Sequence, residues 1–545
     1  MSEQSYATPE GPANLIDTDY TVGQDNIQPH VGPFGLDIHN PVFLISGLTI
    51  VAFVFLALAL PEQAELLFGW LRPAVTSTFD WFFLLAGNIF VLLCLVLIVT
   101  PLGKVRIGGM DATPDYSYTG WFAMLFAAGM GIGLMFFGVS EPIAHYLSSI
   151  GEGAGSPDSW APLAGAAGQE TEARRLGMAA TIFHWGLHPW AIYAVVGLSL
   201  ALFAYNKGLP LSIRSMFYPV FGERVWGWTG HIIDTLAVFA TLFGLATSLG
   251  IGAEQANAGL EFLFGVPVND VSKVVLILGI TAVALVSVVA GLDAGVKRLS
   301  EINMILAALL LLFVIFVGPT VAILTGFFDN LLAYGQYLPA LSNPFGREDA
   351  NFSQGWTAFY WAWWISWSPF VGMFIARVSR GRSVREFVIC VLLIPSLVSV
   401  LWMTAFGGTA ISFLSGGYQA LADAPLELKL FTMLDQLPLA SITSFIAIVL
   451  VIVFFVTSSD SGSLVIDTIT AGGKVDAPVA QRIFWATFEG LVAIALLLGG
   501  GLGALQAASV STGLPFAIVL LIGAYALVKG LLSEPRAGKP QKQES

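Results

Sequence analysis

The sequence has few charged residues and almost no cysteine. Only 11% of its 545 residues are charged and 56% are hydrophobic, whereas a soluble protein carries roughly a quarter charged residues. This shortage of charge excludes an ordinary soluble domain and indicates lipid as the surrounding solvent. The two cysteines, Cys94 and Cys390, fall inside apolar runs. This position argues against a disulfide framework and against a cysteine-based metal site.

Basic residues and catalytic motifs are scarce as well. The formal charge of −13 argues against a nucleic-acid partner, which requires a basic surface. No zinc motif, phosphate-binding loop or nucleophile motif stands out, so we expect neither an enzyme nor a bound cofactor. A channel or receptor remains the alternative class, although a channel requires a continuous polar lining.

Long apolar runs are abundant, and they predict an all-α membrane protein with about 12 transmembrane helices. The polar, acidic segment 1–41 is too long for a signal-peptide n-region, so we expect a disordered cytoplasmic tail before a retained first span. We expect residues 42–530 to form the membrane domain and residues 531–545 to form a short cytoplasmic tail. The predicted spans are 42–60, 78–100, 120–146, 180–205, 232–263, 273–292, 303–325, 356–377, 386–407, 441–468, 483–500 and 505–530.

The distribution of basic residues sets the predicted topology. Cytoplasmic loops carry an excess of lysine and arginine. With the N-terminus inside, only six of the 23 lysines and arginines fall outside: Arg72, Arg174, Arg175, Lys273, Arg347 and Lys429. The sequence therefore predicts a multi-pass protein of the bacterial inner membrane with both termini in the cytoplasm.

Two spans contain residues that interrupt a helix. The third has three glycines within residues 129–133, and the eighth has Pro369 after Ser368. Such breaks are tolerated in membranes where the freed backbone faces a cavity or protein. The breaks lie five spans apart, and this odd offset is typical of an inverted-repeat transporter with a central binding site. Small-residue packing and a simple kink are the alternatives.

Aromatic residues crowd the fourth and eighth spans. Interfacial belts contain many tryptophans, and a belt explains Trp356 and Trp361 at the outer end of the eighth span. It explains Trp364 and Trp367 less well, because they lie deeper and share a helix face at i and i+3. Aromatic faces attract quaternary cations, with roughly 2 kcal/mol for each desolvated contact. These rings therefore suit a methylated onium group.

The tenth span contains paired hydroxyls that admit two interpretations. Thr457 and Ser458 either bond back to carbonyls one turn earlier or coordinate an alkali cation with carbonyls of the broken third span. Asp460 is expected near the cytoplasmic mouth in a structural role, with ion movement as the alternative. For Glu141 we expect helix-end capping rather than proton carriage. His184 and His188 are expected to be packed histidines rather than a metal pair.

Three segments resemble the betaine/choline/carnitine transporter (BCCT) family. They are Ala127 to Gly138, Phe359 to Trp364 and Ala376 to Arg382, and the likeness runs from about residue 40 to 530. The resemblance implies an amino-acid-transporter-like fold, in which two extra helices precede two inverted five-helix repeats, spans 3–7 and 8–12. It also implies a homotrimer.

The resemblance further implies site residues. The family's aromatic box falls on Trp185, Trp190, Tyr193 and Trp364. Other substrate-binding positions lie along the same pathway: Trp363, Trp367, Gly129, Met130, Gly131 and Gly133. The family's sodium site maps to the carbonyls of Ala127, Met130 and Phe454 and the hydroxyls of Thr457 and Ser458. A second sodium site near Thr241 and Phe370 is in doubt, because Leu245 stands where the family has a second threonine.

Departures from the family pattern sharpen the predicted function. Sodium-independent carnitine exchangers have a methionine where this chain has Val371, and an arginine in the fifth span, where this chain has none. Choline carriers tend to have aspartate at the position of Gly133. We therefore predict secondary active uptake, by sodium symport, of a zwitterionic onium compatible solute, glycine betaine or a relative such as dimethylsulfoniopropionate. A proton-coupled choline transporter is the alternative.

Overall fold

The computed structural model describes residues 8–151, 158–290 and 293–536, and most of these are helical. Two short antiparallel strand pairs come first: β1 (Asn26–Ile27) with β4 (Ile38–His39), and β2 (His30–Val31) with β3 (Phe34–Gly35). The α-helices follow in chain order: α1 Val42–Ala59, α2 Pro61–Val99, α3 Tyr118–Gly129, α4 Ile132–Ile150, α5 Glu170–Trp185, α6 Leu187–Ala201, α7 Tyr218–Phe221, α8 Trp228–Phe264, α9 Asp270–Ala290, α10 Asp293–Val317, α11 Thr320–Leu341, α12 Ala350–Phe352, α13 Ala358–Val378, α14 Val384–Ser415, α15 Ala420–Asp423, α16 Lys429–Leu434, α17 Ala440–Thr470, α18 Val479–Leu498 and α19 Gly501–Leu532.

About twelve of these helical segments span a membrane. Ten continuous segments of the described chain are long and apolar enough to do so, and α3 with α4 forms an eleventh span that bends by 63°. We count α13 as the twelfth, because it packs within the bundle against α6, α8 and α19 although its tryptophans and serines lower its hydropathy. The prediction of an all-α membrane protein is confirmed.

Both ends of the described chain lie at one end of the helix bundle, which we call the terminal face. The backbone N–H of Asn14 donates to the carboxylate of Glu534 at 3.4 Å, and Lys207 pairs with the same carboxylate at 2.5 Å. Glu10 pairs with Arg380 at 2.5 Å just beyond the end of α13. The other end of the bundle is called the opposite face.

The N-terminal segment packs across the terminal face, so the expectation of a disordered tail is wrong for residues 8–41. Tyr20 stacks on Trp226 with ring centroids 4.2 Å apart. The side chain of Asn26 donates to the carbonyl of Ala471 at 2.9 Å. The acidic composition suggested disorder, but the few aromatic and polar side chains of this segment find partners in distant parts of the chain.

The seventh span is shorter than predicted. Helix α10 ends at Val317, because Gly318 and Pro319 follow and proline disfavours helix in the residue before it. The predicted boundary at residue 325 was therefore wrong. The residues beyond Pro319 form the separate helix α11, which the sequence analysis did not find.

The predicted break in the eighth span is also wrong, because α13 is continuous through Pro369. Proline has no N–H to donate to the carbonyl of Ile365, four residues earlier. The hydroxyl of Ser368 donates to that carbonyl instead, at 2.6 Å, so no buried acceptor is left unsatisfied. The irregularity of this span lies earlier, in a π-helical turn at Ser353–Thr357.

We predict that Glu534→Gln strongly destabilises the terminal face. The side chains of Lys207 and Glu534 are only 2% and 1% exposed, so the substitution leaves a buried ammonium without its counter-charge. Removing one partner of a buried pair costs roughly 3–5 kcal/mol. Thermal unfolding of the detergent-solubilised protein measures this loss. As a control, Arg175→Gln breaks a pair with Glu172 that is more than a third exposed, and should cost about 1 kcal/mol or less. Equal shifts in melting temperature would contradict the prediction.

Candidate functional site

The break between α3 and α4 forms one wall of the candidate site. Helix α3 ends at Gly129, and Met130 (φ −93°, ψ 135°) and Gly131 (φ −178°, ψ −173°) are extended before α4 begins. Extended residues cannot continue the helical hydrogen-bond ladder, so carbonyl groups at the break are available to a ligand. The sequence prediction placed this break correctly.

A second break, in the fourth span, was not predicted. Helix α5 ends at Trp185, Gly186 adopts φ −101° and ψ −126°, and α6 begins at Leu187. The backbone N–H of Leu187 donates to the hydroxyl of Tyr334 at 3.1 Å. The break turns Trp185 toward the centre of the bundle. A lone glycine in an apolar run gave too weak a signal to find it.

Aromatic rings from α5, α6 and α13 surround one space. Trp363 and Trp364 stack with centroids 4.7 Å apart, and Trp185 meets Trp364 edge-on at 4.9 Å. Trp190 and Tyr193 meet edge-on at 5.2 Å. The four positions that the family resemblance assigned to the aromatic box are thus joined by Trp363 and Trp367, and below the name aromatic box covers all six rings.

Hydrogen bonds from the indole N–H groups fix the orientation of these rings. Trp364 donates to the carbonyl of His184 at 2.9 Å, next to the break in the fourth span. Trp367 donates to the carbonyl of Gly244 at 2.9 Å. With their N–H edges satisfied by the protein, the rings are free to present their faces to a ligand.

The box lines a cavity of about 420 Å³ between the broken third span, α13 and α17. All ten predicted substrate-binding residues line this cavity: Gly129, Met130, Gly131, Gly133, Trp185, Trp190, Tyr193, Trp363, Trp364 and Trp367. The lining continues along the second half of α17 to Val465 and along α13 to Arg377. The cavity therefore extends toward the terminal face.

The predicted sodium-coordinating residues line the same cavity, at the junction of the third span and α17. They are Ala127, Met130, Phe454, Thr457 and Ser458. The hydroxyl of Thr457 donates to the carbonyl of Val453 at 3.0 Å. This bond uses only the hydroxyl proton, so the lone pairs of the oxygen remain available to a cation. The predicted donor set consists of oxygens alone, which is the ligand type that hard cations prefer.

The second sodium site is not assembled at the cavity. Phe370 lines the cavity, whereas Thr241 is absent from its lining and is fully buried. The hydroxyl of Thr241 donates to the carbonyl of Ala237 at 2.7 Å within α8. Leu245, which stands one turn later where the family has its second threonine, packs against Gly462 of α17.

Trp361 does not belong to an interfacial belt, so that interpretation is wrong. Its side chain is fully buried, and its ring stacks on His188 at 5.3 Å. His188 in turn contacts the side-chain oxygen of Asn88 at 2.9 Å. Trp361 fills the space between α2, α6 and α13, on a side of its helix that does not line the cavity.

The two acidic residues that the sequence placed within spans, Asp460 and Glu141, both contact other side chains. Asp460 pairs with Arg482 at 2.9 Å near the terminal face. Glu141 lies inside α4 rather than at its end, so the capping prediction is wrong. It contacts His145 at 3.0 Å and His184 at 2.5 Å.

Several polar lining residues were not predicted from the sequence, and three of them come from α8 and α10. Ser248 of α8 and Ser300 and Asn303 of α10 also line the cavity. The side-chain amide of Asn303 donates to the carbonyl of Leu450 on α17 at 3.4 Å. The one feature of the sequence that could have indicated a lining residue here was a polar residue, Asn303, within the apolar seventh span.

About twelve spans around a central, solute-sized cavity beside a broken helix define a membrane transporter. A family model described as BCCT, betaine/carnitine/choline family transporter, matches residues 41–536, and the chain belongs to this family.

Among its relatives is a glycine betaine/proline/choline transporter of Vibrio parahaemolyticus, 70% identical over 97% of this chain and 96% of the relative. A glycine betaine transporter from the same species is 55% identical over 96% of this chain and 98% of its own. One from Acinetobacter baylyi is 45% identical over 90% of this chain and 73% of its own. Among solved structures, a manganese transporter of Eremococcus coleocola aligns at 12% identity and a TM-score of 0.42, over 77% of this chain and 88% of that one.

Proposed function

We propose that the protein takes up glycine betaine or a related zwitterionic onium solute together with sodium. The observation that carries this proposal is the cavity itself, because one lining contains the six rings of the aromatic box, the broken third span and the proposed oxygen donors. Aromatic faces attract a trimethylammonium group, which has no N–H to donate. A broken helix supplies backbone groups for both the solute and the ion.

The charge of the cavity supports a zwitterion over a simple cation. Among the residues that line it, none is aspartate or glutamate, and the one charged side chain is Arg377 at the end of α13. Arg377 lies roughly 20 Å along α13 from Trp364, so its guanidinium attracts a carboxylated solute at the terminal-face end of the cavity rather than within the aromatic box. Choline offers this guanidinium no negative charge. The names of the two Vibrio parahaemolyticus relatives support betaine as a solute, and the name of the 70% identical one includes choline and proline as well.

The distribution of charge supports a cytoplasmic terminal face, because most of the loops there are rich in lysine and arginine. The cavity then extends toward the cytoplasm, as expected for release of the solute. The broken third span and α13, with the π-helical turn before it, lie five spans apart. We propose that spans 3–7 and 8–12 are the two inverted repeats that rock about this site.

Uptake in a host that lacks transporters for these solutes tests the proposal. Cells that express the protein should accumulate labelled glycine betaine only in the presence of sodium, and unlabelled betaine should compete better than choline or carnitine. Labelled dimethylsulfoniopropionate tests whether a sulfonium replaces the ammonium. Efficient choline uptake without sodium would favour the proton-coupled alternative.

Loss of both hydroxyls should weaken sodium binding specifically. We expect the double change Thr457→Ala and Ser458→Ala to raise the sodium concentration for half-maximal uptake several-fold, because two of the five proposed oxygen ligands are lost. At saturating sodium, the affinity for betaine should change little, since the aromatic box is intact. Thr512→Ala provides a control, because Thr512 bonds back within α19 in the same way and does not line the cavity. An unchanged sodium dependence of the double variant would reject the proposed ligands.

A further inference from the structure

Glu141 is a fully buried carboxylate at the closed end of the cavity. It lies two turns beyond Gly133 along α4, on the side of the opposite face, and it does not line the cavity. Its Oε1 atom lies 2.5 Å from Nδ1 of His184 and 3.0 Å from Nε2 of His145. A buried carboxylate of this kind requires partners, because an isolated charge in a membrane is costly.

The other oxygen of Glu141 holds two aromatic side chains. Oε2 accepts hydrogen bonds from the indole N–H of Trp185 at 2.8 Å and from the hydroxyl of Tyr360 at 2.6 Å. Trp185 belongs to the aromatic box. The ring of Tyr360 lies 5.7 Å from the rings of both Trp185 and Trp364, behind the cavity. One carboxylate therefore ties α4, α5 and α13 together and sets the orientation of two neighbouring rings.

An ionised carboxylate suits this position better than any other side chain. It offers about four acceptor positions and no donor. Trp185 and Tyr360 donate to Glu141, and the ring nitrogens of His145 and His184 that face it donate in the tautomers that carry hydrogen there. A glutamine would accept with one oxygen only and would point its own N–H groups at two of these donors. Charge-assisted hydrogen bonds are also shorter and roughly twice as strong as neutral ones.

We propose that Glu141 is a positioning residue for the solute site. It does not touch the solute, but it fixes Trp185 directly and Trp364 through Tyr360, and so determines how tightly the box holds an onium group. This inference rests on the proposed function, since it takes the aromatic box as the onium site. A loosened box should weaken binding more than it slows the movement of the helices.

The substitution Glu141→Gln tests this role. We expect the betaine concentration for half-maximal uptake (KM) to rise at least fivefold, while the maximal rate at saturating betaine falls less than twofold. Glu489→Gln is a matched control. Glu489 is also a fully buried glutamate in a membrane span, but it contacts Ser459 of α17 and has no bond to the box. Its KM should stay within twofold of the unmutated protein. An unchanged KM in folded Glu141→Gln would overturn the proposal.

Tyr360→Phe provides a second, gentler test, because it deletes a single hydroxyl and keeps the ring. We expect a several-fold rise in KM from this change alone. When Glu141→Gln and Tyr360→Phe are combined, the rise in KM should be smaller than the product of the two single rises, because both substitutions act through the same hydrogen bond. An unchanged KM in Tyr360→Phe, or fully multiplicative effects, would contradict the proposal. The measurement on Tyr360→Phe alone tests the proposal even if Glu141→Gln does not fold.

A measurement without solute separates this inference from the proposed function. Near-ultraviolet circular dichroism of the solute-free protein reports the packing of the aromatic rings. Glu141→Gln should change this spectrum more than Glu489→Gln does. If the unmutated protein accumulates no quaternary solute, the proposed function fails, and the spectra still test whether Glu141 orients the rings. Identical spectra for Glu141→Gln and the unmutated protein would overturn the inference alone.

Discussion

Replacing Trp364 by alanine is expected to raise the KM for any quaternary solute about thirtyfold. The ring is buried, lines the cavity and stacks on Trp363. One desolvated contact between an onium group and an aromatic face contributes roughly 2 kcal/mol, and each 1.4 kcal/mol corresponds to a tenfold change. Concentration-dependent uptake of labelled betaine measures the change.

Two control variants test whether the rise in KM is specific to the indole ring of Trp364. Trp364→Phe keeps a ring but loses the indole N–H that donates to His184, so it should lie between alanine and tryptophan. Trp228→Ala removes a tryptophan that is 65% exposed and does not line the cavity, and it should leave KM unchanged. Trp361→Ala is no neutral control, because Trp361 is fully buried and its loss would open a void. A KM for Trp364→Ala equal to that of Trp228→Ala would remove Trp364 from the site.

Adding a single methyl group at Gly133 is expected to reduce the affinity for betaine at least tenfold. A Cβ atom there would come within 2.6 Å of the ring of Trp185 and 3.2 Å of the ring of Trp363. Neither ring can move away easily, because Trp185 is hydrogen-bonded to Glu141 and Trp363 is stacked on Trp364. Overpacking of a filled space forces side chains away from their rotamers.

Gly279→Ala and Gly133→Asp separate the causes of this effect. Gly279 lies in α9 with nothing within 4 Å of an added Cβ, so alanine there should be neutral. Gly133→Asp adds the same Cβ atom as Gly133→Ala and a carboxylate beyond it. The negative charge should raise the ratio of choline to betaine uptake relative to Gly133→Ala. If the two Gly133 variants have the same ratio, Gly133 does not face the solute. Full activity of Gly133→Ala would contradict the close packing of the box.

The number of spans and the break in the third span could be predicted from the sequence, because long apolar runs and three closely spaced glycines determine structure within their own segment. The sequence was not sufficient for the break at Gly186 or for the continuity of α13. The hydroxyl of Tyr334, which accepts the hydrogen bond from the N–H of Leu187 beside Gly186, is 147 residues away along the chain. The hydroxyl of Ser368 replaces the hydrogen bond that Pro369 cannot make, which is a local compensation that a proline rule does not include.

The part of the candidate site that could be predicted from the sequence also depends on signals that are close together along the chain. The tryptophans that line the cavity are dense in sequence, and the family resemblance assigned them together with the oxygen donors. The role of Glu141 was missed because its partners His184 and Tyr360 lie 43 and 219 residues away along the chain. Only the packing of α4, α5 and α13 brings these groups together.

Uptake into proteoliposomes with imposed gradients is the most direct test of sodium-coupled betaine transport. One cation that enters down 100 mV supplies about 2.3 kcal/mol, which is roughly fortyfold accumulation, and an inward sodium gradient adds to it. We predict that labelled glycine betaine accumulates when sodium is directed inward, that replacing sodium by potassium abolishes accumulation, and that a protonophore has no effect while the voltage is clamped. Accumulation that persists without sodium and collapses with the proton gradient would contradict sodium coupling.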